Sequence, residues 1–168
     1  MSDTTKIKAV YGLSAMQKSM LLNYAIDETS DAYVEQFDFK IVGKLNTEYM
    51  QQALIKVSER YDILRTVFSY RNTDEPYQIV LKELTPPFQV IDFTDELDIQ
   101  ASINNFKEED RKRGFQLSTE SPLRACVIKE EETRWRFILT FHHIIMDGWS
   151  LGPVSYTHLR AHETRSNL

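Results

Sequence analysis

Trp135-Arg136-Phe137-Ile138-Leu139-Thr140-Phe141 runs directly into His142-His143-Ile144-Ile145-Met146-Asp147-Gly148. The first half is apolar, aromatic and β-branched and follows a polar turn at residues 130–133, the pattern of a strand. The second half places two imidazoles at the strand's end, then a carboxylate and a glycine at a fixed interval. That order suits a strand delivering a group that titrates near neutrality into a tight loop, with the carboxylate turned back to hold the loop rigid. If the alternation continues past Phe141, His142 and His143 face opposite sides of the strand. Both can enter one pocket only if the chain bends.

Working outward, residues 123–128 read as a partner strand across the polar turn, with residues 134–141 completing the pair. Before them, Arg111-Lys112-Arg113-Gly114 is a basic last turn followed by a glycine, a helix stop. The helix it closes is expected to begin at Thr94, with Asp95 and Glu96 in its first turn. Pro86-Pro87 precedes a short strand at residues 88–93. Residues 63–70 and 77–81 read as a hairpin around the turn at residues 72–76. Asn46 or Thr47 caps a helix that carries Met50, Ala53, Leu54, Val57 and Tyr61 at core spacing, with Arg60 near its C-terminal end, where a cation suits the dipole. Phe37, Phe39 and Ile41 alternate through a strand at residues 36–42 that Gly43 closes. Ser14-Ala15-Met16-Gln17 is a capping box, and the helix it opens runs to about Asp27 with Met16, Met20, Leu21 and Tyr24 on one face. Strands and helices interleave with hairpins, so the fold class is α+β, a mixed α/β sandwich rather than a clean parallel array.

One domain is expected from 168 residues with 42% hydrophobic and 27% charged content. Residues 1–10 read as a polar lead-in, residues 11–153 as the domain, and residues 154–168 as a non-native or disordered tail, because hydrophobic periodicity ends there. No role is assigned to the two tail histidines. A net charge of −5 gives no basic footprint for nucleic acid. No run is long and apolar enough for a membrane span. One cysteine, Cys126, excludes an internal disulfide and fits a reducing compartment. It lies mid-strand, where a thiol behaves as a small hydrophobe. A cytoplasmic setting is expected.

Four segments together resemble the condensation domains of nonribosomal peptide synthetases. Leu13-Ser14-Ala15-Met16-Gln17-Lys18-Ser19-Met20-Leu21 is similar to the family's opening helix motif. Arg60-Tyr61-Asp62-Ile63-Leu64-Arg65-Thr66-Val67-Phe68 is similar to the motif written RHExLRTxF, with Tyr61 and Asp62 in place of its His and Glu. The run from Asp110 through Leu117, with Ser121-Pro122-Leu123-Arg124, matches the approach to the active-site strand. His142 through Gly148 is the HHxxxDG signature, and Gly148-Trp149-Ser150 after the aspartate favours condensation over epimerisation.

The resemblance implies a chloramphenicol-acetyltransferase-like fold of two lobes around a tunnel. This chain corresponds to the N-terminal lobe, a central mixed sheet with flanking helices, and the second lobe is missing. The implied reaction is acyl transfer from a carrier-bound acyl or peptidyl thioester to the amine of a carrier-bound aminoacyl thioester. By resemblance His143 is the base or orienting group; from the strand alternation His142 is read as orienting the loop, and Gly148 supplies either a positive φ or a close backbone approach to the substrate's arm. Asp147 is implied to form a structural ion pair with an arginine of the second motif, Arg60 or Arg65, with Arg60 favoured. No cofactor is expected to bind directly, since substrates arrive on phosphopantetheine arms. The implied partners are upstream and downstream carrier domains, the missing C-terminal lobe and the adenylation domain of the same synthetase.

Two other readings compete with this one. An acyltransferase of the same fold using soluble CoA thioesters also carries HxxxDG, and a non-catalytic module can keep the motif for folding alone. A zinc shared by His143 and Asp147 requires a helical segment, against the strand context. As half of a two-lobed domain, the isolated chain is expected to be inactive and to self-associate through an exposed apolar flank.

Overall fold

The computed structural model describes residues 6–27, 30–71 and 73–145. Two sheets organise them. Strands β1 (Ile7–Gly12), β3 (Thr66–Ser69) and β4 (Tyr77–Leu81) form a three-stranded antiparallel sheet in the order β1-β4-β3. Strands β2 (Val34–Val42), β5 (Phe88–Asp92), β6 (Leu123–Glu131) and β7 (Arg134–His142) form a four-stranded sheet in the order β2-β7-β6-β5. Its β2, β7 and β6 are antiparallel, whereas β5 runs parallel to β6 and makes the sheet mixed. Helices α1 (Ala15–Ile26), α2 (Thr47–Arg60) and α3 (Ile99–Arg113) complete the α+β architecture.

Alternation along the four-stranded sheet divides its faces. On one, Cys126, Ile128 and Ile138 pack against Ile103 of α3, which is fully buried. On the other, Leu123 and Phe141 join Met20, Leu21 and Tyr24 of α1, together with Leu64, Phe68, Phe115 and Leu117, in the larger core. That second face also carries the cross-strand row Phe39–Phe137–Val127–Val90. The row is open at both ends: Phe39 is 45% and Val90 50% exposed.

The helix ends follow from local chemistry. Ser14 Oγ accepts from Gln17 N–H and Gln17 Oε1 from Ser14 N–H, the full capping box. Asn46 Oδ1 accepts from Tyr49 N–H to start α2. Gly114 ends α3 with φ +62°, a conformation glycine adopts without steric cost.

The described structure corrects three expectations. Residues 7–10, read as lead-in, belong to β1. Its Ile7 and Ala9 are half-buried, but charged Lys6 and Lys8 flank them, so the strand is held mainly by main-chain pairing with β4. Residues 62–65 form a 3-10 turn, not strand, and only Thr66–Ser69 is extended. Arg65 is the cause: it is buried, and its five N–H groups bond Ser58, Glu59, Leu81 and Lys82 carbonyls and Asp62 Oδ1. Thr66 Oγ1 closes the same turn onto Asp62 O at 2.8 Å. Helix α3 starts at Ile99 rather than Thr94, because Asp92 Oδ1 accepts from both the N–H and the hydroxyl of Thr94 and holds a turn there. Asp98 then supplies the cap, accepting from Ala101 N–H at 2.9 Å.

Candidate active site

Strand β7 carries His142 to the end of the sheet. The His142 N–H donates to Pro122 O at 3.0 Å, and its register partner on β2 is Val34. There the strand stops, and His143–Ile145 turn into a 3-10 helix. The alternation of the strand therefore ends at His142 and does not extend to His143. Ile144 and Ile145 anchor the turn by inserting into the larger core.

The His142 ring sits in an aromatic cage and is only 2% exposed. Tyr24 and Phe115 meet it edge-on at 5.9 and 6.4 Å between centroids, and Tyr33 lies tilted at 5.9 Å. Tyr24 is itself fixed by donating its hydroxyl to Phe115 O at 2.7 Å. His142 Nδ1 accepts from Ile144 N–H at 3.1 Å, so the neutral ring carries its proton on Nε2. Burial, and then the neighbouring charge of His143, push the His142 pKa down to about 4. The ring is a neutral strut at physiological pH.

A pH dependence follows from this cage. The folded value of about 4 lies below the ordinary 6.5, so between those two the unfolded chain binds a proton that the folded chain refuses. Stability should fall as pH drops through that window and level off above it. Urea midpoints of the native chain and of His142→Gln at several pH values test this. Identical slopes in the two proteins would remove His142 as the cause.

His143 differs in every respect. It is half-buried rather than sealed, and its N–H donates to Tyr33 O at 2.8 Å, which fixes the backbone without using the ring. Asp147 and Gly148, with Met146, Trp149 and Ser150, lie outside the described residues, as does the tail at 154–168. Of the two arginines considered for Asp147, Arg65 already spends every N–H on the five acceptors named above. Arg60 is exposed at the end of α2, its guanidinium 5.7 Å from the centroid of the Tyr61 ring.

Sequence reasoning missed most of what holds the pair. Tyr24 was visible only as a core residue, and Tyr33 stands just before β2 in no periodic pattern. The segment approaching the active-site strand also contains a buried ion pair. Arg124 Nε donates to Asp110 Oδ1 at 2.6 Å and its Nη1 to Gly114 O at 2.6 Å, while Nη2 bonds Asp110 O. Its guanidinium lies over the Phe115 ring at 4.2 Å, which links the ion pair to the histidine cage. Asp110 Oδ2 accepts from Thr140 Oγ1 at 2.6 Å and Gln36 Nε2 at 2.9 Å. Burial raises the Asp110 carboxyl pKa, but bonds from Arg124 and Thr140 and the arginine's charge more than offset it, leaving it below the usual range. Burial pushes the Cys126 thiol up to about 11, so it stays protonated beside Ile128 and Ile138.

Residues 7–155 match the family described as condensation domain. The chain belongs to that family. Bacitracin synthase 1 of Bacillus licheniformis is 38% identical over 151 residues, which is 89% of this chain and 3% of that protein. Bacitracin synthase 3 of the same organism is 36% identical over 150 residues, 89% of this chain and 2% of that one. Among solved structures, the starter condensation domain of rhizomide synthetase superposes with a TM-score of 0.76 at 24% identity, over 84% of this chain and 34% of its own. A four-domain nonribosomal peptide synthetase superposes with a TM-score of 0.77 at 19% identity, over 88% of this chain and 11% of its own. These two likenesses concern the fold. The condensation-domain chain thus spans a few percent of these curated relatives and about a third of the solved domain, corresponding to the N-terminal portion. None of its described helices is long and apolar enough to cross a membrane.

Proposed function

We propose that this condensation-domain segment contributes the catalytic histidine to peptide-bond formation between two carrier-bound thioesters. The observation that carries the reading is the contrast between the paired imidazoles: His142 is caged and neutral, whereas His143 is half-buried on a turn fixed at its backbone. In the complete domain, the amine of the acceptor aminoacyl thioester attacks the donor thioester carbonyl. The C–N bond forms, the C–S bond breaks, and the amine's proton passes by way of His143 to the departing thiolate. An amino-acid α-amine has a pKa of roughly 7.7–8.0, so a useful fraction is neutral near pH 7, and positioning it counts for as much as removing its proton.

Asp147 locks the loop beyond the turn through an ion pair with Arg60. This choice is supported by Arg65, which has no unspent N–H. Gly148 approaches the phosphopantetheine arm through its backbone. The partners are carrier domains on either side, a second lobe and an adenylation domain of the same synthetase, in the cytoplasm, and the arms are the carriers' own. Residues 11–153 act as one lobe, and residues 154–168 take no part. The family resemblance implies two lobes around one tunnel, so on this reading the isolated chain is inactive and self-associates through the row ending in Phe39 and Val90. A peptide-bond assay with loaded carrier domains, run on this chain and on a two-lobed protein containing it, tests the proposal. Comparable turnover from the chain alone would refute the need for a second lobe. Turnover with soluble CoA thioesters but none with carriers would favour the CoA-dependent reading.

A further inference from the structure

We propose that Gln17 is a positioning residue for the histidine turn, acting through the carbonyl of Ile144. Gln17 Oε1 accepts from Ser14 N–H at 3.0 Å and faces Gln78 Nε2 of β4 at 3.5 Å. Both contacts need an acceptor, which settles the orientation of the amide and turns its nitrogen toward Ile144 O, 3.4 Å away. The turn is thereby tied at three points. His143 N–H bonds Tyr33 O, Ile144 N–H bonds His142 Nδ1, and Ile144 O receives Gln17. Among the described residues, the Gln17 bond is the one of these three made by a side chain from another element.

The residue type points the same way. A capping box works with glutamate or glutamine at this position, and a carboxylate would better suit the positive end of the helix. The first turn of α1 contains no acidic residue. Capping alone gives no reason for an amide. Donating to Ile144 O does, because a carboxylate at that place has no hydrogen to offer and sets its charge against the carbonyl oxygen. Gln17 therefore joins three things: the start of α1, strand β4 (whose Gln78 also bonds Gly12 O at 3.0 Å) and the turn that presents His143.

The functional meaning of this arrangement rests on the reading of His143 given above. The test is read without turnover, so either can fail alone. Gln17→Glu keeps the cap and removes the donor. In the full chain, amide hydrogen exchange at His143 and Ile144 is measured against Ile138 and Leu139 of β7 as an internal reference. Exchange in the turn should accelerate roughly three- to tenfold relative to the strand, the effect of losing one ordinary hydrogen bond on a local opening. Gln17→Ala should loosen the turn equally and destabilise α1 as well. Unchanged ratios in Gln17→Glu, or a uniform acceleration of turn and strand together, would overturn the proposal and leave Gln17 as a cap.

Discussion

Replacing His143 by alanine in a two-lobed protein containing this chain should lower peptide-bond formation by roughly 10²–10⁴-fold, the contribution general acid–base help typically makes. The fold should survive, because His143 is held through its N–H to Tyr33 O, a bond alanine keeps. Its side chain is also the less buried of the pair. The same change at His142 should act differently. That ring fills a cage of Tyr24, Tyr33 and Phe115 and receives Ile144 N–H, so its loss vacates core volume and leaves a donor unmatched. Unfolding curves taken beside the rates separate the two. A His143→Ala protein with near-normal turnover would end the catalytic reading. One that lost stability as severely as His142→Ala would make the residue structural.

The second large effect concerns the ion pair behind the cage. Asp110→Ala should cost about 3–5 kcal/mol of stability, because it strands a buried guanidinium. The side chains of Arg124 and Asp110 are only 6% and 12% exposed, and Thr140 and Gln36 lose their acceptor at the same time. Removing both charges with Asp110→Ala and Arg124→Met should recover a good part of the loss, as a well-packed apolar substitute often does. Urea unfolding of the two variants checks this, and a single-variant loss under about 1 kcal/mol would place the pair with ordinary surface pairs. The acid dependence has a definite sign. The folded Asp110 carboxyl lies below its ordinary 3.8, so its contribution is present at neutral pH and disappears as pH falls below that value. The loss from His142 begins earlier, near pH 6.5. Stability should therefore decline over two pH ranges, the first set by His142 and the second by Asp110.

Much of this arrangement was legible where the physics is local. The caps at Ser14 and Asn46 and the stop at Gly114 are decided within a few residues, and the apolar, β-branched run before His142 reported a strand. The approach of His142 and His143 to the end of that strand was readable for the same reason. What escaped depended on distant partners. β1 carries little hydrophobic signal and exists because β4 offers it a ladder. Residues 63–65 open a run, 63–70, with the composition of a strand, yet Arg65 gathers acceptors from α2 and the end of β4 that no window of sequence reveals. The cage around His142 is assembled from α1, the entry to β2 and the loop after α3. Nothing in the spacing of Tyr24, Tyr33 and Phe115 announces a common target.

The saturated guanidinium of Arg65 has a consequence for how this motif tolerates change. Four of its five acceptors are main-chain oxygens, two at the end of a helix and two at the end of a strand, and they exist whatever side chains those positions bear. An ammonium group offers three hydrogens from a single point and can reach only part of that set. The site thus selects for a flat, forked donor, with Asp62 the one carboxylate among its acceptors. Relatives that conserve positive character here but change the shape of the cation would have to rebuild the junction between α2 and β4.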